Sequence, residues 1–333
     1  MDPIDVAGLT KEYGDVRGVD SLSLSVESGE VFGFLGPNGA GKTTTIRTLL
    51  GLQAPTDGTA AVLGADVRDE SALVAAKRRI GYLPANPAFD ATATGREILD
   101  LHGSIKGGER RAELLDLFDP PLDRPVREYS TGNEQKLGIV QAFMHDPELV
   151  ILDEPTSGLD PLMQRRFEEF VRAERDRGRT VFFSSHVLGE VRRVCDRVGV
   201  LRNGRLVTVE SVGDLLDRSG KAVHARAAEA IVPSDVDFEG THDVEVHDGD
   251  GDAVTELSFT YTGEVNRLLA RLHRFDLVDL TVEEAPLEDA FMRFYGAEAG
   301  NGGAGGDRVA DADDAGDAAD PDAVPAEGGG ADV

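Results

Sequence analysis

The hydrophobic pattern of this chain changes along its length from alternation to continuous apolar runs. Residues 1–30 alternate between apolar and polar positions, as in the Leu-Ser-Leu-Ser-Val run at 22–26, which predicts antiparallel strands with one buried face. Residues 31–35, 149–152 and 180–183 are apolar almost throughout. Such runs are typical of strands buried on both faces, and we expect the last two to be central parallel strands.

Helical patterns alternate with these strands. Residues 44–50 and 71–79 have helical spacing, and helical stretches follow both central strands. Residues 85–145 are mostly helical, with proline-rich breaks at 84–87 and 120–125. Strands that alternate with helices predict an α/β fold class.

Two glycine-containing pairs predict hairpin turns. Asp-Gly and Asn-Gly favour two-residue turns because both central residues then adopt positive φ. The Asp-Gly pair at 57–58 is expected to join two short strands, and the Asn-Gly pair at 203–204 to join strands at 198–201 and 205–209.

The composition changes after about residue 215. Residues 216–296 are expected to form a small α+β domain with a strand at 257–261 and a helix at 264–274. The apolar face of a second predicted helix carries Leu287, Phe291 and Phe294. Residues 297–333 are rich in Gly, Ala and Asp, with ten acidic residues against one arginine, and this composition predicts an acidic disordered tail.

The charge balance argues against one class of function. The chain has 333 residues and a formal net charge of −28, whereas a general nucleic-acid binder needs basic surface for phosphate contacts. Only six of its 34 basic residues are lysine. An acid excess with few lysines favours adaptation to high salt, where self-repulsion is screened, and we expect a halophilic archaeal source. An acidic bacterial protein is the alternative.

The single cysteine and the hydropathy bear on cellular location. Cys195 can form no intrachain disulfide, which fits a reducing cytosol, and its apolar helical neighbours predict a buried structural thiol. No apolar run approaches 18 residues, so we expect no membrane span. The first residues predict no signal peptide.

A glycine-rich loop between the strand at 31–35 and the next helix carries the candidate chemistry. Residues 36–44 fit the pattern G-x-x-x-x-G-K-[ST] at every fixed position. Backbone amides of such a loop surround a phosphate chain, Lys42 can reach the β- and γ-phosphates, and the Thr43 hydroxyl can ligate Mg²⁺. The predicted triphosphate-binding residues are Gly36, Pro37, Asn38, Gly39, Ala40, Gly41, Lys42, Thr43 and Thr44.

Two acidic residues end the apolar run at 149–152. A carboxylate at the tip of a buried strand can hold Mg²⁺ beside the phosphates, so Asp153 is a predicted metal ligand together with Thr43. The adjacent Glu154 can orient or deprotonate a water molecule over the γ-phosphate.

These motifs resemble those of the nucleotide-binding subunits of ATP-binding-cassette (ABC) transporters. The resemblance covers roughly residues 4–215. It implies a P-loop NTPase fold of the ABC ATPase type, with an antiparallel β subdomain and a helical subdomain at about 85–145, in a domain spanning residues 1–215. It also implies binding of ATP and Mg²⁺ and hydrolysis of ATP.

The resemblance assigns roles to residues outside the loop. Asp153 and Glu154 match the Walker B pair of the family, and residues 157–160 match its D-loop. His186 matches the switch histidine, which implies a contact with the γ-phosphate and, with Glu154, a catalytic role. Tyr13 matches the aromatic residue that stacks on adenine.

Residues 130–135 occupy the position of the family's signature loop. Ser130 is also a good N-cap for the helix that follows. In the family, this loop of one subunit faces the phosphate loop of another, so that two subunits enclose two ATP molecules, with a helix N-terminus donating to phosphate oxygens. The resemblance therefore implies nucleotide contacts for Ser130, Gly132 and Asp160.

Three residues depart from the family pattern. Thr131 replaces a glycine, which adds a Cβ where backbone should approach phosphate, and Asn133 replaces a glutamine. Ala85 stands where the Q-loop has Gln or Glu, and its methyl group cannot ligate Mg²⁺. Another group, a solvent molecule or a shifted Asn86 are the alternatives for that role.

The implied function is ATP-driven transport by a peripheral subunit on the cytoplasmic face of the cell membrane. The transport path must then lie on a separate integral membrane permease, and two cassettes pair across the ATP sites as a homodimer or a mixed pair. Residues 280–288 resemble the appendage of drug and antibiotic exporter cassettes of the ABC-2 type, so export is the expected direction.

Three other functions are the alternatives. A soluble ABC ATPase acting in DNA repair or translation usually has two cassettes, coiled-coil insertions or zinc-binding cysteines, and the sequence shows none of these. Another phosphate-loop enzyme, such as a kinase or GTPase, does not explain the motifs at 130–133 and 186 together. A catalytically inactive cassette conflicts with the intact Lys42, Asp153, Glu154 and His186.

Overall fold

The structure is a computed structural model that describes residues 2–248 and 254–284. The strands are β1 (Ile4–Tyr13), β2 (Val16–Val26), β3 (Val31–Leu35), β4 (Asp57–Val62), β5 (Ala65–Asp66), β6 (Ile80–Leu83), β7 (Leu149–Asp153), β8 (Thr180–Ser185), β9 (Arg197–Arg202), β10 (Arg205–Ser211), β11 (Lys221–Ala227), β12 (Thr241–Asp248), β13 (Thr255–Tyr261) and β14 (Leu277–Glu284). The helices are α1 (Lys42–Leu49), α2 (Glu70–Lys77), α3 (Gly95–Lys106), α4 (Arg111–Phe118), α5 (Thr131–Phe143), α6 (Pro161–Asp176), α7 (Leu188–Val194), α8 (Val212–Ser219) and α9 (Val265–Leu272). Short 3₁₀ turns lie at Val126–Glu128 and Pro233–Asp235.

The largest sheet has the strand order β10-β9-β3-β8-β7-β6. Strands β9, β3, β8, β7 and β6 run parallel, and β10 pairs with β9 antiparallel. The carboxyl ends of β3, β7 and β8 therefore meet at one edge of the sheet, which is where ligands bind in parallel sheets of this kind.

The continuous apolar runs are explained by burial on both faces of this sheet. Every residue of β3, β7 and β8 is buried, which confirms the prediction of buried central strands. Neighbouring side chains point to opposite sides: Val150 and Phe183 join a cluster with α5, α6 and α7, whereas Ile151 and Phe182 join a second cluster. Each fully buried phenylalanine contributes about 1.5–3 kcal/mol by leaving water.

The second cluster also fills the space under an antiparallel sheet of order β2-β1-β4-β5. Ile4 and Leu24, from β1 and β2, point into this cluster, as the alternating pattern of residues 1–30 predicts. Helices α1 and α2 contribute the apolar residues Ile46 and Leu73 to the same core.

The predicted hairpin turn at 57–58 is wrong, because both residues begin strand β4. The turn lies six residues later, where Leu63 and Gly64 have φ values of 49° and 79°. Gly58 instead occupies a register shift between β1 and β4, where a Cβ would overlap the carbonyl oxygen of Gly8. A glycine required for close backbone approach thus resembled a turn glycine. The Asn203–Gly204 hairpin prediction is confirmed, with φ values of 49° and 77° between β9 and β10.

Helices α3, α4 and α5 fall within the segment that the sequence predicts to be mostly helical. Thr94 caps α3 through a reciprocal pair of bonds with Glu97. The predicted proline-rich breaks at 84–87 and 120–125 precede α3 and separate α4 from α5, respectively.

The C-terminal residues form a third sheet, of order β12-β13-β11-β14, against which α9 packs. Strand β13 and helix α9 confirm the predicted strand at 257–261 and helix at 264–274. The predicted helix with Leu287, Phe291 and Phe294, and the predicted tail at 297–333, lie outside the described residues.

Two smaller predictions concern burial and hydropathy. Cys195 is buried, and burial raises the pKa of its thiol well above the ordinary value, which agrees with a structural thiol. A Cβ added to Gly33 would lie 3.0 Å from the Cys195 sulfur, so a glycine in β3 gives α7 its close approach. Within residues 2–248 and 254–284, every helix is too short or too polar to cross a membrane.

Candidate functional site

The glycine-rich loop joins β3 to the first turn of α1 at the carboxyl edge of the large sheet. Gly41 has a φ of 106°, and a Cβ there would overlap the carbonyl oxygen of Gly18. A Cβ on Gly36 would lie 2.5 Å from the carbonyl oxygen of Leu201. Close backbone packing therefore requires both glycines, and the exposed tip at Pro37, Asn38 and Gly39 is left free to approach a ligand.

Lys42 is held inside this loop. Its ammonium group donates to the carbonyl oxygens of Gly36 at 2.6 Å and Pro37 at 3.2 Å. It also lies 3.3 Å from a carboxylate oxygen of Glu154, and its side chain is only 6% exposed. A desolvated cation surrounded by loop backbone is suited to binding phosphate oxygens, because Coulomb attraction strengthens away from water.

Asp153 lies at the end of β7 and accepts two hydroxyl protons. Thr43 Oγ1 donates to Asp153 Oδ2 and Ser184 Oγ donates to Asp153 Oδ1, both at 3.1 Å. The residue is 2% exposed, and burial raises the pKa of this carboxyl above its ordinary value. The neighbouring carboxylate of Glu154 acts in the same direction, while the bonds from Thr43 and Ser184 and the charge of Lys42 oppose the shift.

The predicted metal ligands fit a hard divalent cation. Mg²⁺ takes oxygen ligands in an octahedral arrangement and usually keeps phosphate oxygens or water among them. The Thr43 hydroxyl and the Asp153 carboxylate are two adjacent oxygen donors. Across residues 2–248 and 254–284, no group of three or more His, Cys, Asp or Glu side chains could hold a metal ion.

Glu154 connects Lys42 to His186. One carboxylate oxygen faces Lys42, and the other lies 2.7 Å from His186 Nδ1. The backbone amide of Glu154 donates to the carbonyl oxygen of Ser184 at 3.0 Å. Glu154 has a φ of 49°, an uncommon value for a residue with a Cβ, and such strain is concentrated at functional sites. The His186 ring is half exposed, so it can meet a ligand from solvent.

Tyr13 lies near the same loop through a residue that the sequence did not single out. Its hydroxyl donates to Gln53 Oε1 at 2.6 Å, and Gln53 Nε2 donates to the carbonyl oxygen of Thr44 at 2.7 Å. About half of the Tyr13 side chain is exposed, and the Lys11 ammonium lies 5.3 Å from its ring centroid. Gln53 thus fixes an accessible aromatic ring relative to the loop.

Ser130, Gly132 and Asp160 form a second group. Ser130 caps α5 and accepts from the Asn133 amide at 3.3 Å, which confirms the predicted N-cap. A Cβ on Gly132 would lie 2.7 Å from the carbonyl oxygen of Gly158. Asp160 caps α6 by accepting two amide hydrogen bonds at 3.0 Å. The structure therefore brings the 130–132 turn against the segment before α6.

The structure shows what surrounds Thr131 and Ala85, two of the residues that depart from the family pattern. The Thr131 methyl group lies 2.9 Å from where a Cβ on Gly158 would be, so the additional side chain leans toward the segment before α6. Ala85 is partly buried and the neighbouring Asn86 is exposed, just after β6.

Two further residues of the site escaped the sequence reasoning. Gln135 is 1% exposed and donates to the carbonyl oxygen of Pro155 at 2.9 Å, which ties α5 to the residue after Glu154. Ser184 supports Asp153 as described above. Ser184 lies two residues before His186, at the end of an apolar run, which is a usable signal. Gln135 lies in the 130–135 loop, but nothing in the sequence indicates its partner, which is 20 residues away.

Comparison with known proteins identifies the family to which a chain with this arrangement of residues belongs. A family model described as "ABC transporter" matches residues 19–157. The bacitracin transport ATP-binding protein BcrA of Bacillus licheniformis is 35% identical over 302 residues, which cover 88% of this chain and 97% of that protein. The chain belongs to the ABC transporter ATP-binding family. The cassette is therefore an ATPase whose function is ATP-powered transport, and the alternative in DNA repair or translation is excluded.

Other relatives and solved structures agree with this membership. The Nod factor export ATP-binding protein I of Mesorhizobium japonicum is 35% identical over 89% of the cassette's chain and 87% of its own length. The daunorubicin/doxorubicin resistance ATP-binding protein DrrA of Streptomyces peucetius is 40% identical over 66% and 68%, respectively. A solved ATP-binding subunit of an ABC transporter is 31% identical with a TM-score of 0.58, covering 64% of this chain and 91% of that one.

A second solved structure shares the fold alone. It is a dimeric ATP-binding cassette in a post-hydrolysis state bound to ADP and Pi, 22% identical with a TM-score of 0.58. The matched region covers 63% of this chain and 98% of the chain in that structure. The predicted P-loop NTPase fold of the ABC ATPase type is confirmed.

Proposed function

We propose that this cassette powers the export of an unidentified substrate through a separate membrane-spanning subunit. The observation that carries the direction is the match to the Nod factor export protein, which includes 89% of this chain and therefore extends past the ATPase core into the C-terminal sheet. BcrA, DrrA and the Nod factor protein are named for bacitracin transport, drug resistance and export, respectively. Import is the competing direction.

The geometry supports the following division of roles. The loop amides and Lys42 bind the phosphates of ATP, and Tyr13 stacks on adenine. Thr43 and Asp153 hold Mg²⁺, which neutralises charge on the phosphate oxygens when it is bound. The 2.7 Å contact between Glu154 and His186 supports a pair in which Glu154 accepts a proton from water and His186 contacts the γ-phosphate.

The position of Lys42 determines how close Glu154 lies to a bound phosphate. Because the Lys42 ammonium lies 3.3 Å from Glu154, a phosphate bound to this cation lies beside the carboxylate. A water molecule that attacks that phosphate would then lie near the Glu154 carboxylate, as general-base catalysis requires.

We also propose that two cassettes pair across ATP. Ser130 and Thr131 are exposed at the N-terminus of α5, which is open to a phosphate held by a second cassette. Gly132 and Asp160 would approach that nucleotide from the same segment. A homodimer or a mixed pair satisfies this arrangement.

The membrane partner has a candidate contact on α3. Leu101 and Ile105 lie one turn apart on this helix and are 65% and 62% exposed, respectively. Apolar side chains at this spacing form a continuous stripe, which suits contact with an apolar segment of a permease. This contact would hold the cassette at the cytoplasmic face of the membrane as a peripheral subunit.

The acidic composition supports a halophilic source, with function at high salt. A net charge of −28 destabilises a compact chain by self-repulsion unless salt screens it. We expect the melting temperature to rise between about 0.1 M and 2 M KCl. The same series with sucrose in place of salt is the control, and a melting temperature that does not change with KCl would argue for an ordinary acidic protein.

Substitution of Lys42 tests the transport proposal. The cassette is co-expressed with a neighbouring gene product that has about six apolar spans of 20 residues. With bacitracin and daunorubicin as probes, Lys42→Ala should abolish ATP hydrolysis and any efflux together, because it removes the main cation on the phosphates, whereas Lys77→Ala on α2 should leave both intact. Uptake instead of efflux would reverse the direction, and unchanged turnover by Lys42→Ala would refute the assigned site.

A further inference from the structure

Helix α7 carries a buried carboxylate that the roles above do not use. Glu190 is 6% exposed, and both of its oxygens accept from hydroxyl groups. Thr156 Oγ1 donates to Oε1 at 2.5 Å, and Ser185 Oγ donates to Oε2 at 2.7 Å. Burying a carboxylate is unfavourable unless its oxygens are satisfied. Here the carboxylate is satisfied by two segments that are distant in sequence.

Each of these segments carries one member of the Glu154–His186 pair. Thr156 lies two residues after Glu154, and Ser185 immediately precedes His186. Glu190 therefore bridges the two backbone segments on which the pair depends. A change in the position of either segment would alter the 2.7 Å contact between Glu154 and His186.

Ser185 extends this bridge to the phosphate loop. Its carbonyl oxygen accepts from the Gly36 amide at 3.3 Å, and its hydroxyl oxygen accepts from the Val187 amide at 2.9 Å. Its hydroxyl also contacts the carbonyl oxygen of Val187 at 3.5 Å, and β8 pairs with β3 at this residue. Among these contacts of Ser185, only the one to Glu190 reaches the segment that carries Glu154.

We propose that Glu190 is a positioning residue for ATP hydrolysis, which fixes His186 relative to Glu154 by holding Ser185 and Thr156 together. This inference rests on the roles proposed for Glu154 and His186. Thr156 also immediately precedes residues 157–160, so a displacement of that segment passes through Glu190 to His186. Catalysis is sensitive to such placement, because a 1 Å displacement can reduce a rate by about 10²-fold.

Three variants of the full chain test the bridge. Glu190→Ala removes both contacts, and Thr156→Val removes one hydroxyl with little change in shape. Glu190→Gln keeps an oxygen acceptor and gains an amide donor, and because each hydroxyl can donate or accept, both contacts can form. We expect kcat to fall roughly tenfold or more in Glu190→Ala, less in Thr156→Val, and to recover in Glu190→Gln.

Measuring nucleotide binding and thermal stability alongside turnover distinguishes a positioning role for Glu190 from a merely structural one. Positioning predicts that KM and the affinity for a non-hydrolysable ATP analogue stay within about twofold of wild type while kcat falls. The matched control is Glu168→Gln on α6, another carboxylate that is 3% exposed and bonded to Arg193 of α7. It should lower the melting temperature and leave kcat unchanged.

The possible results decide the matter in each case. Wild-type kcat in folded Glu190→Ala, or an equal loss of kcat in the Glu168→Gln control, overturns the proposal. If Glu190→Ala does not fold, Thr156→Val is the deciding variant, and a kcat equal to wild type in that variant overturns the proposal. The proposed function still stands in that case, because the wild-type chain hydrolyses ATP. A wild-type chain without ATP turnover overturns both.

Discussion

At the scale of single residues, Glu154 is the side chain on which the site converges. It faces Lys42 with one oxygen and His186 with the other, and its backbone has a positive φ of 49°. Its amide donates to the carbonyl oxygen of Ser184, which holds the backbone in this conformation. Its carboxylate is therefore held in place before any substrate contact, which is the form of preorganisation that catalysis requires.

Substitution of Glu154 separates binding from hydrolysis. Glu154→Gln preserves shape and hydrogen bonding but removes the base, so turnover should fall by about 10²-fold or more while ATP binding is retained. Single-turnover hydrolysis and nucleotide affinity measure the two effects, and the variant should accumulate as an ATP-bound dimer. Glu148→Gln, which changes an exposed acid paired with Arg79, is the control. A Glu154→Gln variant that stays monomeric with ATP at high salt would contradict the paired arrangement.

At the scale of elements, buried and partly buried groups that titrate join α3 to α5 and both helices to strand β6 of the large sheet. His102 lies on α3 and receives a bond from Gln141 on α5, while His145, just after α5, lies 3.1 Å from the carbonyl oxygen of Ile80 in β6. Lys106 on α3 donates to the same carbonyl at 2.8 Å. Burial, with the nearby Lys106 charge, lowers the pKa of both histidines to about 4.

These histidines give the fold a predictable acid sensitivity. As the pH falls from 6.5 toward 4, the unfolded chain binds protons on these histidines that the folded chain excludes, so the free energy of unfolding decreases. The double variant His102→Gln/His145→Gln should lose less stability over this range than wild type. Urea unfolding at several pH values measures the difference, with the exposed His247→Gln as control. Parallel pH dependences in wild type and double variant would contradict this account.

The elements also show what sequence reasoning can and cannot predict. Strands β3, β7 and β8 were predictable because burial on both faces leaves a continuous apolar signature. The turn at 57–58 was misplaced because a glycine needed for contact with Gly8 has the same local signal as a turn glycine. A local sequence pattern indicates which backbone conformation a residue can adopt. It does not reveal which neighbouring residue requires a glycine at that position.

The residues of the candidate site likewise divide into those with a local sequence signal and those without one. Lys42, Thr43, Asp153 and Glu154 belong to short motifs whose spacing follows from a strand end and a helix start, so the sequence reveals them. Gln53 and Glu190 reach partners up to 40 residues away, and ordinary glutamine and glutamate side chains carry no local signal of such contacts. Only the fold brings them to the site.

At the scale of the whole molecule, the groups proposed to act on ATP lie between residues 13 and 186, far from the acidic C-terminus in sequence. Removal of residues 300–333 should therefore leave ATPase activity intact. Steady-state hydrolysis by the truncated and full-length chains makes the comparison, and the melting temperatures of both chains at equal salt are the control. Loss of activity in a folded truncated chain would give the acidic segment a functional role.

The packing of Gly132 on Gly158 has a consequence for timing. Because a Cβ at Gly132 would come within 2.7 Å of the Gly158 carbonyl oxygen, the 130–132 turn packs directly on the segment that follows Thr156, and a shift of the turn would press on that segment. In a pair of cassettes, nucleotide captured by the turn of one subunit would thus be sensed by that subunit's own Glu154 and His186. Hydrolysis at the two sites would then be cooperative, with the occupancy of one site setting the rate at the other.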